Sequence, residues 1–291
     1  MRDDAALATD FRTLDDRLER CHGVAELRFV ADRSGNTRVV RLYQRTPCRI
    51  LFPRSEPGEP LGVVLLTTSG GVTGGDRLDI ALEAGEGARV IATTQAAEKI
   101  YRASGRDARI DVAVRAKADS WVEWLPQETI LFDGARLVRR TRIDLWPGAR
   151  FLGCELVVFG RAARGERFTR GRLHDEWRLS RGSRLVWADA LHLEGEVAAA
   201  LAHPAGFNGA GAGATVIYAA GDAGDRLHDA RALLRNAASR CGATVVNGEV
   251  LLARFLALEA GAVRRDVMEY CAGLRAVVAG LPHRLPRVWQ T

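Results

Sequence analysis

The chain has 291 residues, of which 47% are hydrophobic and 27% are charged; this composition excludes a wholly disordered, collagen-like or coiled-coil protein. Its 42 basic and 36 acidic residues give a formal net charge of +6, and because both signs are interspersed, this charge is weak evidence for nucleic-acid binding. Five cysteines without a Cys-x-x-Cys pair encode neither a disulfide framework nor a zinc ribbon, so we expect a reduced, cytoplasmic protein.

The N-terminal residues 1–20 form a polar lead-in that precedes a single β-rich domain predicted over residues 21–291. Acidic residues occur early in this lead-in and no apolar core follows them, which argues against a signal peptide. The longest stretch without Asp, Glu, Lys or Arg, residues 197–221, contains Pro204 and several glycines. A lipid-exposed helix is not built that way, so we predict no membrane span.

The first part of the domain has the alternation of β-strands. Apolar residues alternate with polar ones from Ala25 to Phe29, and again from Thr37 to Tyr43 after a turn at residues 34–36. A short apolar strand is predicted at Val63–Leu66. The clearest strand is residues 110–114, which has one apolar face.

From residue 80 to residue 187 the pattern repeats. Similar turn sequences begin at Gly87, Asp119, Gly148 and Gly182, at intervals of 32, 29 and 34 residues. Each follows one alternating strand and opens another. Such self-similarity predicts stacked units, and therefore a mainly β protein with a β-helix-like or layered β body. A plain meander would produce similar turns.

Two segments have helical rather than strand spacing. Apolar residues predict helices over residues 225–239 and 263–278, so a pair of helices is expected toward the C-terminus. A strand pair with a turn at Asn247-Gly248 is predicted between them. Asp133-Gly134 predicts a further hairpin, between residues 130–132 and Leu137.

The most conspicuous motif is the glycine-rich segment Gly70–Asp76. It lacks the Lys-Ser/Thr pair of a P-loop, and Asp76 would repel phosphates. Its four glycines allow unusual backbone angles or a very close approach by another chain. The alternative is a β-turn that Asp76 caps.

No catalytic or closed metal centre is evident in the sequence. The histidines form no His-x-His, His-x-x-x-His or Cys/His cluster, and His192 with Glu194 is a weak pair of possible ligands. No nucleophile motif is present. The carboxylate pairs Asp76/Asp79 and Glu123/Glu128 could serve a carbohydrate-active enzyme, but only their existence supports this.

Five segments together resemble a known family, the urease accessory protein UreD, also called UreH. They are Leu66–Leu78, Thr93–Ala103, Trp124–Ala135, Gly160–Glu166 and Arg284–Trp289. They occur in the family's order and cover most of the chain. The resemblance implies a β-rich fold related to a β-helix, with a pair of helices.

The resemblance also implies a non-enzymatic function in nickel delivery. Family members bind UreF, which recruits the GTPase UreG that carries nickel, and they contact the urease apoprotein. Ni²⁺ is expected in transit through an internal channel, with no permanently bound cofactor. A channel must release the ion, so scattered oxygen ligands suit it better than a closed His/Cys cage.

Within that resemblance, residues at the family motifs are candidates for specific functions. The expected nickel-path residues are Asp76, Glu166, Thr94 and Gln95. Two guanidiniums and a phenol are expected to contact a partner: Arg161, Arg164 and Tyr101. The helical pair and the final segment, with an exposed Trp289 as anchor, are expected to bind UreF.

Two alternatives come from other functional classes. An Arg-rich nucleic-acid binder predicts salt-sensitive retention on DNA or RNA, and the mixed charge argues against it. A β-solenoid carbohydrate-active enzyme predicts turnover by the purified chain alone. Each carboxylate considered for the nickel path could equally hold a β-turn in place.

Overall fold

The computed structural model describes residues 20–54 and 56–290. The predicted lead-in, residues 1–20, therefore lies outside the described residues except for Arg20. Within the described ranges, no helix is both long and apolar enough to cross a bilayer.

About half of the described residues form strands, with three helices interspersed among and after them. The strands are β1 (His22–Ala31), β2 (Thr37–Arg45), β3 (Cys48–Leu51), β4 (Leu61–Thr67), β5 (Arg77–Ala84), β6 (Arg89–Thr94), β7 (Glu98–Ile100), β8 (Ala108–Ala116), β9 (Trp121–Leu125), β10 (Thr129–Leu131), β11 (Arg136–Leu145), β12 (Arg150–Phe159), β13 (Arg170–Arg181), β14 (Arg184–Glu196), β15 (Ala212–Ala219), β16 (Arg240–Val246) and β17 (Val250–Ala257). The helices are α1 (Ala198–Ala202), α2 (Leu227–Leu233) and α3 (Ala260–Ala279).

The strands form two layered sheets. Sheet A has the order β14-β13-β11-β8-β5-β1-β2, and sheet B has the order β16-β17-β15-β12-β9-β6-β4-β3, with β10 between β7 and β12. In the centre of each sheet the strands are parallel, because the chain alternates between the sheets: β5, β8, β11 and β13 lie in sheet A, and β4, β6, β9 and β12 in sheet B. This coil confirms the predicted β-helix-like, layered body.

The repeated turns are the points where the chain crosses from sheet A to sheet B. Gly87, Asp119 and Gly148 all have positive φ, and the turns stack through backbone hydrogen bonds such as Asp119 N–H to the Pro147 carbonyl at 3.3 Å. A Cβ on Gly148 would lie 1.9 Å from Asp119 Oδ1, so only glycine fits there. The fourth repeat, at Gly182, differs because it joins β13 to the antiparallel β14 within sheet A.

The predicted strands around residues 25–29, 37–43, 63–66 and 110–114 are present as β1, β2, β4 and β8. The predicted hairpin at Asp133-Gly134 is wrong. Its two strands belong to different sheets, since β10 pairs with β7 and β12 while β11 pairs with β8 and β13. Asp133-Gly134 does form a turn, but the stacking of the coils directs the following strand into sheet A instead of back along β10.

The two predicted helices are present with different lengths. The helix predicted over 263–278 extends over Ala260–Ala279 and ends at Gly280, whose φ of +62° gives a left-handed cap. The one predicted over 225–239 is helical only over Leu227–Leu233. Beyond it, the Ser239 N–H and hydroxyl donate to the carboxylate of Asp266 on α3, which turns the chain toward β16. The turn at Asn247-Gly248 joins β16 to β17 as predicted.

Sheet B has apolar side chains on both faces and therefore two cores. One lies between the sheets, and the other lies between sheet B and helices α2 and α3. Strand β12 contributes to both, and nine of its ten residues are buried. The core between the sheets is interrupted by buried polar groups, which are candidates for a function.

Candidate metal path and partner surface

Four of the five family-like segments meet at one edge of the two sheets. The connections that return the chain from sheet B to sheet A all leave from the same ends of parallel strands, so they stack. Val72 N–H donates to the Lys99 carbonyl at 2.8 Å, Ala103 N–H to Gly134 at 3.0 Å, and Gly160 N–H to Leu131 at 2.9 Å. Segments far apart in sequence therefore form one surface.

The glycines of the Gly70–Asp76 segment make this stacking possible. A Cβ on Gly71 would lie 2.7 Å from the Lys99 carbonyl oxygen, and a Cβ on Gly74 would lie 2.4 Å from that of Arg106. The close approach that the glycines predict is thus made by neighbouring loops of the same chain.

Asp76 closes this glycine-rich turn. Its Oδ2 accepts the Thr73 N–H and its Oδ1 accepts the Cys21 N–H, both at 2.9 Å, and the residue is buried. Asp76 therefore caps a turn, as the alternative interpretation of the sequence predicts. The carboxylate lines neither of the two cavities described below.

A set of aromatic and charged side chains lies on the outside of the stacked loops; we call Tyr101, Phe132, Arg161 and Glu166 the motif surface. The Tyr101 hydroxyl donates to the Gly70 carbonyl at 2.7 Å, and the Tyr101 and Phe132 rings meet edge to face at 4.9 Å. The Arg161 guanidinium lies 4.1 Å above the Phe132 ring.

Glu166 is paired within this surface. It accepts Arg161 Nε–H at 3.1 Å and the Asp133 N–H at 3.1 Å, and the bond from Arg161 lowers the pKa of its carboxyl. Arg164, which follows in a short 3-10 turn, is exposed. The predicted residues Tyr101, Arg161 and Glu166 thus come together, and Glu166 lies on the surface rather than in a cavity.

Thr94 and Gln95 line a cavity of about 200 Å³ at the β3–β4 end of the molecule. Cys48 and Glu98 line it too, and neither was predicted as part of a path. The Thr67 hydroxyl donates to Glu98 Oε2 at 3.4 Å. Burial raises the pKa of Glu98 to about 7 and that of the Cys48 thiol to about 11, so near pH 7 the thiol is neutral and the Glu98 carboxyl is about half protonated.

A second cavity, of about 340 Å³, lies between β14 of sheet A and β15 and β17 of sheet B. Aromatic rings form much of its wall: Phe159, Trp177, Trp187 and Phe207. Arg254 and Asp189, exposed and joined at 2.5 Å, lie at its rim. Two buried carboxylates, Glu155 and Asp175, also face it.

These two carboxylates share one buried guanidinium. Arg139 donates Nε–H and Nη2–H to Asp175 at 3.0 and 2.7 Å, and Nη1–H to the Thr129 hydroxyl at 2.7 Å. Glu155 Oε1 forms an ion pair with Arg139 Nη1 at 2.7 Å, in a geometry that is poor for a hydrogen bond. Burial raises the pKa of Glu155 to about 8, and Arg139 opposes that shift.

Backbone register connects the two cavities. Thr129 on β10 is the parallel partner of Glu98 on β7, so their side chains lie side by side on the same face. Thr129 in turn accepts from Arg139, which binds the carboxylates of the second cavity. We call Glu98, Thr129, Arg139, Glu155 and Asp175 the interior polar row. It lies between the sheets, with one end at each cavity.

Trp289 is buried, so the expectation of an exposed anchor there is wrong. Its relative exposure is 0%, and its indole N–H donates to the Thr93 hydroxyl at 3.0 Å. The Gln127 side-chain amide also donates to the Val288 and Gln95 carbonyls, both at 2.8 Å. The C-terminal segment is thereby fastened to the strand end that carries Thr94 and Gln95.

A second buried charge cluster was not predicted. Arg275 on α3 is wholly buried and donates to Glu123 at 2.9 and 3.0 Å and to Glu59 at 2.6 Å. It also donates to the Pro282 and Arg284 carbonyls. The partners are up to 216 residues apart in sequence, and no local pattern could reveal them.

The carboxylate pairs of the enzyme alternative are committed to different partners. Asp76 binds backbone N–H groups, whereas Asp79 binds Arg77 and His22. Glu123 binds Arg275, whereas Glu128 lies 3.3 Å from Arg264. Among the described residues, no three or more His, Cys, Asp or Glu side chains are arranged to hold a metal ion.

Comparison with known proteins identifies the family. Residues 22–290 match the family model described as UreD urease accessory protein. The chain is 45% identical over 282 residues to the urease accessory protein UreD of Methylobacterium sp. strain 4-46, covering 94% of this chain and 96% of that protein. It is 42% identical over 272 residues to UreD of Magnetococcus marinus, covering 92% and 93%.

A third relative, UreD of Azorhizobium caulinodans, is 44% identical over 256 residues, which cover 88% of this chain and 92% of that protein. All three are named accessory proteins, in agreement with the expectation that the chain is not an enzyme. The resemblance inferred from five short segments is confirmed over nearly the whole described structure. The chain belongs to the UreD family of urease accessory proteins.

Proposed function

We propose that this chain acts in the cytoplasm as a urease maturation factor that passes Ni²⁺ to the urease active site. It would bind UreF, and through UreF the GTPase UreG, and it would also contact the urease apoprotein. The observation that carries the proposal is the interior polar row, which places ionisable oxygen ligands between two cavities on either side of a β core.

The chemistry of the row suits an ion in transit. Glu98 and Glu155 hold protons more tightly than ordinary carboxyls because they are buried, so an arriving dication can exchange with a proton instead of leaving an unpaired charge. Carboxylate and hydroxyl oxygens bind Ni²⁺ less tightly than thiolates or several imidazoles. The ion can therefore leave again, which delivery requires.

Glu155 supplies the most specific support. Its Oε1 is buried beside a cavity, and its ion pair with Arg139 at 2.7 Å is poorly aligned for a hydrogen bond, whereas buried carboxylate oxygens normally have well-aligned partners. A cation or a cation-bound water would satisfy this oxygen. Arg139 balances the charge of these carboxylates, because it pairs with both Asp175 and Glu155.

The motif surface is the part of the chain best suited to a protein partner. It combines an aromatic pair with the Arg161 guanidinium and the exposed Arg164, and aromatic and arginine side chains are common anchors of interfaces. Both positive charges favour an acidic partner surface. Co-purification with an Arg161→Ala, Arg164→Ala double variant identifies this partner. The partner, UreF or urease, is the one that the variant no longer recovers.

The test compares urease purified from cells that carry the wild-type chain, no chain, or a variant. Nickel per urease should fall when the gene is absent and return with the wild-type gene. Glu155→Gln and Glu98→Gln should each lower nickel content severalfold while the accessory complex still co-purifies. Glu83→Gln is the matched control, because Glu83 lies on the outer face of sheet A beside Arg28.

Two outcomes would contradict the proposal. If urease remains fully nickel-loaded without this chain, the delivery function is wrong. If Glu155→Gln and Glu98→Gln leave nickel content at the Glu83→Gln level, delivery does not use the interior polar row. Asp76→Ala and Glu166→Ala, tested in the same way, decide whether these turn-associated carboxylates contribute.

A further inference from the structure

Two histidines face each other on the outer side of sheet A, away from the interior polar row. His174 of β13 and His192 of β14 are directly opposed in the antiparallel ladder, and their ring centroids lie 5.5 Å apart. Their side chains are 27% and 48% exposed. Both imidazoles are therefore reachable from solvent.

The spacing of the two rings matches that of two imidazoles bound to one metal ion. With metal–nitrogen bonds of about 2.1 Å, ring centroids on a shared ion lie roughly 5 Å apart. Side-chain rotation alone can then bring one nitrogen of each ring to the ion. We propose that His174 and His192 form a surface site for a divalent transition-metal ion of the Ni²⁺ or Zn²⁺ type, for which imidazole is a suitable ligand.

Two carboxylates complete the surroundings of the pair. Glu176 Oε2 lies 3.7 Å from His174 Nε2, and Glu194 Oε2 lies 3.4 Å from His192 Nε2. Each can orient an imidazole by accepting its N–H. Water would fill the remaining positions, so the ion would be held weakly and exchange readily.

Neighbouring arginines do not occupy these carboxylates fully. The guanidinium nearest to Glu194 is Arg136 at 3.7 Å, and Arg136 binds Asp107 more closely, at 2.9 Å. Arg172 likewise prefers Asp107 at 2.8 Å over Glu194 at 3.9 Å. Glu194 is thus the carboxylate that is more available to orient an imidazole.

Glu176 is held somewhat more closely by arginines than Glu194 is. It lies 3.5 Å from Arg178 and 3.8 Å from Arg140. The positive side chains around the pair reduce the attraction for a cation. The proposed site therefore depends on nitrogen coordination, and loss of one histidine should affect binding more than loss of one glutamate.

The experiment is equilibrium dialysis of the untagged full-length chain against NiCl₂, and separately against ZnCl₂. His174→Gln and His192→Gln should each weaken binding of one ion roughly tenfold or more, and the double variant should lose that ion. The control is His283→Gln, because His283 is a half-exposed histidine with one carboxylate partner, Glu269 at 2.9 Å, and no second imidazole. Metal binding by the His283→Gln chain should equal that of the wild type.

X-ray absorption of the bound nickel gives an independent readout, with imidazole scattering that the double variant lacks. Unchanged nickel stoichiometry and affinity in the double variant, or an equal loss in His283→Gln, would overturn the proposal. The Glu155→Gln chain should retain this surface ion. The surface site and the interior path can therefore fail separately.

Discussion

The protein contains two buried clusters of the same composition, one arginine with two carboxylates, in very different settings. Arg275 holds Glu123 and Glu59 between sheet B and α3 and has every nitrogen bonded, including two bonds to backbone carbonyls of the C-terminal segment. Arg139 holds Asp175 and approaches Glu155 between the sheets, where a cavity adjoins them.

The difference lies in unused bonding capacity. Both oxygens of Glu123 are occupied, since Trp121 Nε1–H adds a bond at 2.8 Å to those from Arg275. Glu155 Oε1 has only its ion pair with Arg139, which is poorly aligned for a hydrogen bond. A fully bonded buried charge fixes one conformation, whereas an incompletely bonded one beside a cavity can accept an ion or a proton. The Arg275 cluster is therefore suited to a structural function, and the Arg139 cluster is the one proposed above to bind an ion.

Removing Arg275 should have the largest effect on stability. Arg275→Met leaves Glu123 buried without its counter-charge and releases the C-terminal segment, so the free energy of unfolding should fall by about 3–5 kcal/mol. Urea unfolding of the purified chain measures this. Arg287→Met, at an exposed arginine paired with Glu56, should remain close to wild type. A similar loss in both variants would contradict the assignment.

Removing Arg139 should cost less. Arg139→Met leaves Glu155 and Asp175 beside a cavity that water can reach, and Glu155 already favours its protonated form. The free energy of unfolding should therefore fall by about 1–3 kcal/mol. Urea unfolding under the conditions used for Arg275→Met gives the comparison. If Arg139→Met were the more destabilised variant, the two clusters would not differ as proposed.

Glu155→Gln should change the pH dependence of stability. The pKa of Glu155 is about 8 in the folded chain against an ordinary 4.5, so between these values the folded state binds more protons than the unfolded state. Its contribution is present below the unfolded pKa and is lost as pH rises, by up to about 1.4 kcal/mol per pH unit.

Urea unfolding at intervals from roughly pH 5 to pH 8 tests this. The wild type should lose stability over that range, and Glu155→Gln should show a shallower decline. Glu98 adds to the wild-type slope because its pKa is also raised, so some slope should remain. An unchanged slope in Glu155→Gln would mean that this carboxyl is not protonated in the folded state near pH 7.

Arg161→Ala should have the smallest effect on stability. The Arg161–Glu166 pair lies on the surface, where ion pairs contribute little to folding, so its urea midpoint should stay near that of the wild type. Co-purification with UreF or with urease should nevertheless decrease, because the residue belongs to the motif surface. Unchanged recovery of both partners would remove Arg161 from the interface.

Local patterns predicted the parts of the fold that depend on neighbouring residues. Alternation located several strands, the turn repeats revealed the coil, and helical spacing located α3. The hairpin proposed at Asp133-Gly134 failed because turn residues report only that the chain turns, and not which sheet it joins afterward. The helix predicted over residues 225–239 was too long, because Ser239 binds Asp266 on α3 instead of continuing the helix.

The candidate site was predicted only where it coincides with family-like segments. These supplied Tyr101, Arg161 and Glu166, which the structure brings together, and Thr94 and Gln95, which the structure places at a cavity. Glu98, although within one segment, had no local feature to separate it from a solvated charge. Arg139 and Asp175 looked like ordinary polar residues of alternating strands.

The sequence by itself therefore determined the layered β architecture and the turns that build its coil, because periodicity and turn chemistry are local properties. The family followed from the resemblance of five short segments. The tertiary structure decided which charges are buried, that Trp289 is covered, and that carboxylates from separate coils form one polar row. Burial and pairing depend on residues that meet only after the strands have stacked, and the stacking brings together side chains tens to hundreds of positions apart.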